Sequence, residues 1–379
     1  MVIKVVVLSI DGGGIRGIFP AKILAEIEKR TEKILSNSGE KIENARICKL
    51  FDLIVGTSTG GILTLGLTKP NVSGRNDPEF KAEDLVNMYT KKGGKIFQKT
   101  RGIDRIISPW LRSKFSSNAR KSVLSTYLGN TLIEHALTEV LITSYETRLR
   151  KPIFFTSKPD KENKNEEFEI RCKDYMMFDV AMGTSAAPTY FKPHNFYMNN
   201  DEVTLIDGGV FANNPTAIAV LEIMDSYYKS PHYKKNKQNI SLDEILIVSI
   251  GTGKHSYKYT FKELAKMGQL QWIKEPLIKI IFDSQSEFLS YQIAQIFPKP
   301  SYYRLEPKYG NNQQVPYSGR LEDDSKIVSP SMDDINEKNI LNLVSVAEEF
   351  ITSNTNHLDL ICQKIVESLN TRVFLKRGI

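Results

Sequence analysis

The chain of 379 residues is 41% hydrophobic and 25% charged, enough apolar content for one large domain or a domain with an appendage. No apolar run approaches the ~20 residues of a membrane-spanning helix, and Val5–Ile10 runs into Asp11 too soon to serve as a secretory signal. Cys48, Cys172 and Cys362 are scattered and odd in number, which argues against a disulfide framework or a metal cluster, and the net charge is +7.

In chain order the pattern alternates between β and α. Strands are expected over residues 2–10, 51–55, 152–157, 166–171, 203–206 and 244–250. Helices are expected over 15–35, 60–67, 131–142, 177–183 and 214–228. The 131–142 assignment rests on Leu132, Ile133, Ala136, Leu137 and Val140 at helical spacing, and Asn214-Pro215 gives the last helix a cap and a first turn. Residues 71–130 read as a polar, basic insertion. Phe261 to Phe297 reads as amphipathic helix, and Asp333 to Leu369 as one or two closing helices capped by Asp333 or Asp334. The fold class expected is α/β: a mainly parallel central sheet flanked by helices, with a helical C-terminal part. The expected division is a catalytic domain over 1–255 and a mainly helical extension over 256–379.

Three strings carry chemistry. Gly56-Thr57-Ser58-Thr59-Gly60 sits between a strand and a helix, where a sharp turn would lift the Ser58 hydroxyl out of the sheet. Asp207-Gly208-Gly209 ends the strand Val203–Ile206, from which the Asp207 carboxylate could reach a serine directly. The usual base for a serine is histidine, but none of His135, His194, His232, His255 and His357 is well placed, although His255 formally follows Asp207. Asp11-Gly12-Gly13-Gly14-Ile15-Arg16-Gly17 lies between a strand and a helix. It matches a dinucleotide fingerprint formally but lacks the acidic residue that should end a second strand. A glycine run at a helix start can instead present backbone N–H groups to an oxyanion.

These strings, in this order, resemble the patatin-like phospholipase family, whose pattern is D-G-G-G-x-[RK]-G, G-x-S-x-G and D-G-[GA]. Thr184-Ser185-Ala186-Ala187-Pro188-Thr189-Tyr190-Phe191 and Ser249-Ile250-Gly251-Thr252-Gly253 extend the likeness across roughly residues 1–255. The resemblance implies a patatin-like fold related to the α/β-hydrolases. It implies Ser58 as nucleophile, Asp207 as base without a histidine, and an oxyanion hole from Gly12, Gly13 and Gly14. Gly56, Gly60, Gly208 and Gly209 would support these turns, and Arg16 would support the loop or orient a lipid phosphate. No metal or cofactor is expected.

The resemblance implies a lipid acyl hydrolase acting on membrane glycerophospholipids, with phospholipase A-type activity. The string from Ser9 to Pro20 looks especially like bacterial members, some of which are anti-phage effectors switched on by cyclic dinucleotides. The alternatives are a constitutive lipase or esterase and a virulence effector activated by a protein partner. Lys91 to Lys121 holds ten Lys or Arg against Asp104 alone, interleaved with Ile96, Phe97, Trp110 and Phe115. That segment suits an anionic membrane surface or a cyclic dinucleotide activator, with homo-oligomerisation on activation; a nucleic acid duplex is not an expected partner. The C-terminal Lys-Arg-Gly-Ile is no lipidation signal, so the expected location is cytoplasmic, peripheral on the inner membrane surface when active.

Overall fold

The run Val5–Ile10 forms β1, buried at every position, as a strand covered on both faces must be. The computed structural model describes residues 2–39, 45–72, 76–99, 113–229, 240–255, 259–274, 276–309, 328–369 and 371–372. After β1 come α1 (Ile18–Asn37), α2 (Ile47–Leu50), β2 (Leu53–Thr57), α3 (Thr59–Thr68), α4 (Ala82–Ile96) and α5 (Ser117–Leu128). The middle of the chain forms β3 (Glu139–Glu146), β4 (Lys151–Thr156), β5 (Asn163–Lys164), β6 (Glu169–Arg171), α6 (Met177–Thr184), β7 (His194–Met198) and β8 (Asp201–Asp207). Then follow α7 (Gly209–Ala212), α8 (Thr216–Lys229), β9 (Ile245–Ile250) and β10 (Lys254–His255). The remainder comprises α9 (Phe261–Leu264), α10 (Gln269–Lys274), α11 (Pro276–Ile296), β11 (Tyr302–Leu305), β12 (Lys308–Tyr309), α12 (Glu337–Ser353) and α13 (Thr355–Ser368).

The main sheet runs β11-β9-β1-β2-β3-β4-β6-β5, with β8 pairing to β3 and β7 to β8. From β11 to β3 every neighbour is parallel, whereas β4 and β8 meet β3 antiparallel. This is the expected α/β class, a mixed sheet with a mostly parallel centre under helices. The register also sets the functional level. Ile10 pairs with Gly56, Thr57 with Thr143 and Ser144 with Asp207. The ends of β1, β2 and β8 therefore converge at one place above the sheet, where parallel α/β sheets bind ligands.

Several local expectations are overturned. The helix expected over 131–142 is a single 3-10 turn, Ile133–His135, followed by β3. Val140, Leu141 and Ile142 are consecutive and all buried, so a strand covered on both faces takes them, and their helical spacing is incidental. Within the expected polar insertion 71–130, the described helices α4 and α5 are not a polar surface segment: they put Leu85, Met88, Tyr89 and Leu124 into the core. The amphipathic stretch from Phe261 is broken near Gly268, and Pro276 opens α11 with the fixed φ that a first helical turn accepts. The residue capping α12 is Asn336, not Asp333 or Asp334; Asp334 Oδ1 instead accepts the Asn336 N–H at 3.1 Å.

Residues beyond 255 complete the sheet through β11 and cover α1 with α12 and α13, whose Leu343, Ala347, Leu358 and Ile361 are fully buried. Phe350 meets Phe19 edge-on at 5.1 Å between ring centroids. Truncating Ile361 to Ala removes buried methyl groups and leaves a cavity, so the variant should lose about 2–5 kcal/mol. Urea unfolding followed by circular dichroism measures this; a loss below ~1 kcal/mol would mean that α13 is not part of the cooperative core.

Candidate active site

Ser58 stands between the buried strand β2 and the buried helix α3, with φ +55° and ψ −118°. A non-glycine residue held there costs roughly 1–3 kcal/mol, so its surroundings must enforce the turn. Gly60 makes the turn possible, because any Cβ on it would overlap the Ile10 carbonyl, and one on Gly56 would overlap Gly60 O. The Ser58 N–H is satisfied by Thr184 Oγ1 at 2.9 Å, from the end of α6. That hydrogen bond comes from a side chain whose part in the site was not read from the sequence.

The Ser58 hydroxyl donates to Asp207 Oδ2 at 2.6 Å. Asp207 is fully buried at the end of β8, and its other oxygen accepts the Gly209 N–H at 2.8 Å. Gly208 fits against Thr143 so closely that a Cβ would overlap Thr143 Oγ1, and a Cβ on Gly209 would lie 2.9 Å from Phe282 Cζ. Burial pushes the Asp207 carboxyl up to about 6, opposed by the Ser58 hydroxyl, the Gly209 N–H and the charge of Arg120. Of the histidines, His194 pairs with Asp179 at 2.8 Å, while His135 and His357 are exposed. His232 and the His255 side chain lie outside the described residues. Among the described residues no histidine lines the recess above Ser58.

The glycine loop sits directly beside the serine: a Cβ on Gly12 would come within 3.2 Å of Ser58 Cβ. The Gly12 N–H is already bonded to Asn213 O at 3.1 Å. The Gly13 and Gly14 N–H groups have no acceptor among the described residues, and Gly14 has φ +60° with its Cβ position blocked by Met332 O. Arg16 is buried and donates to Gly13 O and Gly253 O, both at 3.4 Å, which places it behind the loop. A second brace arrives from β11, where Arg304 holds both oxygens of Asp11 at 2.9 and 2.6 Å. Thr252 Oγ1 adds a bond to Gly12 O at 2.8 Å.

Above these groups opens an apolar recess whose walls include Ile62, Ile96, Phe97, Phe191 and Phe282. Two expectations about the basic segment change here. Ile96, Phe97 and Phe115 are buried and not exposed among cations, and Arg120 is fully buried in the wall of this recess. Lys91, Lys92, Lys95 and Lys99 are exposed, whereas residues 100–112, including Trp110, lie outside the described residues.

The profile of the Patatin family, described as patatin-like phospholipase, matches residues 8–220. The chain is 31% identical to Patatin-like protein 1 of Arabidopsis thaliana over 98% of its own length and 88% of that protein. The chain belongs to the patatin-like phospholipase family. Patatin-like protein 2 of Oryza sativa subsp. indica is 32% identical, over 94% of this chain and 86% of its own. Patatin-08 of Solanum tuberosum is 33% identical, over 92% and 84%. A lipid ester hydrolase is therefore the class of this patatin-like chain, and among the described residues no helix is long and apolar enough to cross a membrane.

If the strained turn of this patatin-like site depends on Thr184, then Thr184→Val, which keeps the shape and deletes the acceptor, strands a buried N–H. The expected loss is about 1–3 kcal/mol in urea unfolding, with Thr184→Ser retaining most of the stability. A Val variant as stable as the parent would show that the turn holds itself.

Proposed function

We propose that this protein cleaves the acyl esters of glycerophospholipids, with Ser58 as nucleophile and Asp207 as the only side-chain base. The observation that carries this reading is the 2.6 Å hydrogen bond from an elbow serine to a fully buried carboxylate beneath an apolar recess. A carboxylate with the ordinary pKa near 3.9 is a weak base; one desolvated to about 6 is better matched to a serine hydroxyl near neutral pH.

In this reading an acyl chain lies along Ile62, Phe97 and Phe282, and its ester carbonyl sits over Ser58. Ser58 Oγ attacks the carbonyl carbon while Asp207 Oδ2 takes the hydroxyl proton. The resulting oxyanion accepts hydrogen bonds from the Gly13 and Gly14 amides, because the Gly12 amide is committed to Asn213. Collapse breaks the ester C–O bond, and the leaving alkoxide takes the proton from Asp207. Water then attacks the acyl-serine, with Asp207 again accepting the proton, and the second collapse returns it to Ser58 as the fatty acid leaves. Exposed Phe261, Phe288 and Ile296, on α9 and on the helix that lends Phe282 to the recess, support approach to a lipid surface.

Purified protein should release fatty acid from phospholipid vesicles, and a fluorophosphonate should label Ser58. Ser58→Ala should abolish both, and Asp207→Asn should lower kcat by on the order of 10⁴-fold or more. His194→Ala should lower it less than about threefold, since that ring is engaged with Asp179. Vesicle hydrolysis that persists in Ser58→Ala would end the assignment.

A further inference from the structure

Arg120 is a charged side chain with no accessible surface, and its guanidinium is only half satisfied. Nη1 donates to the Ser185 carbonyl and, at 3.1 Å, to Ser185 Oγ, while the plane stacks 4.2 Å from the centroid of Phe191. Nε and Nη2 are buried without any hydrogen-bond partner among the described residues. A guanidinium has five N–H donors, and the Nε and Nη2 edge carries three of them, two of which lie parallel and can grip an oxyanion in two places. No carboxylate pairs with it among the described residues. Asp207 acts on it through space, while its own oxygens are taken by Ser58 and Gly209.

A buried cation left with three unmet donors is costly, and an apolar residue of similar volume would often be as stable there or more so. The position of Arg120 gives the charge a use. It shares the wall of the recess with Ser58 and Gly13, so an anion that displaced the side chains closing over its unpaired edge would lie on the same molecule as the ester over Ser58. We propose that Arg120 is a specificity residue that binds the phosphodiester of the substrate through its Nε and Nη2 edge. It thereby selects phospholipid esters over uncharged glycerides. The inference rests on the proposed phospholipid ester hydrolase reading and adds to it the residue that selects that substrate class. Burial also pulls the Arg120 guanidinium down to about 9, a range in which it still carries its charge near neutral pH.

The test uses two soluble substrates with identical acyl groups, dihexanoylphosphatidylcholine and 1,2-dihexanoylglycerol, compared as a ratio of kcat/KM at pH 8. Arg120→Met should lower the ratio of phospholipid to glyceride by roughly 10- to 100-fold, the worth of hydrogen bonds to a charged group, chiefly through KM. Arg120→Lys, which keeps the charge without the fork, should fall between. Equal losses on both substrates would make Arg120 a positioning residue acting through Ser185, and no change in the ratio would likewise overturn the proposal. Calorimetry in a Ser58→Ala background, titrated with dihexanoylphosphatidylcholine, should show binding weakened 10- to 100-fold by Arg120→Met; unchanged binding overturns it. This second arm decides the role of Arg120 even if the wild type hydrolyses neither substrate, an outcome that would refute the hydrolase reading alone.

Discussion

A carboxylate removed from water and left touching a hydroxyl is the constraint on which the rest of this structure depends. Asp207 has no accessible surface, and among the described residues its charge is stabilised by the Ser58 hydroxyl, the Gly209 amide and the nearby positive charge of Arg120. Each has to be held in place, because losing any one of them leaves a buried anion short of a partner. The desolvation that makes the arrangement expensive also brings the carboxyl into the range where it can accept a proton near neutral pH.

The fold holds those partners from widely separated parts of the chain. Parallel pairing of β1, β2 and β3 brings the glycine loop and the elbow to one level, and the antiparallel approach of β8 delivers Asp207 to it. The elbow is clamped from below by contact between Gly60 and the end of β1, and from the side by Thr184. The glycine loop is fixed from the C-terminal side through Arg304, Thr252 and the Met332 carbonyl, which accepts the Ile15 N–H at 2.8 Å. Residues beyond the matched span of the family thus shape the geometry of its central motif, and the likeness to patatin-like proteins likewise extends beyond that span.

What was legible in the sequence was local. The elbow, the Asp-Gly-Gly turn and the glycine loop could be read because each combines a strand end with residues that only a tight turn or a close backbone approach requires. The strand β3 was misread because a fully buried strand loses the alternation that marks one, and its apolar residues then fit a helical spacing as well. The segment from Lys91 to Lys121 reads as a cationic surface, and nothing in Ala119 and Lys121 beside Arg120 signals that Phe191 and Ser185 will enclose that side chain. The brace between Asp11 and Arg304 spans 293 positions, and the bond that occupies the Gly12 amide comes from Asn213. Pairings at that distance follow from the sheet order and not from any short string.

The central claim is that a desolvated aspartate, with no imidazole, takes the proton from Ser58. Protonated Asp207 cannot accept that proton, so activity should fall as pH drops through its pKa. The dependence of kcat/KM on pH for a soluble ester reports this ionisation in the free enzyme. The account predicts one acid limb, of unit slope and centred near pH 6, kept in His194→Ala and His255→Ala variants. A limb near the ordinary carboxylate value of about 4, or one that either histidine substitution abolishes, would contradict it.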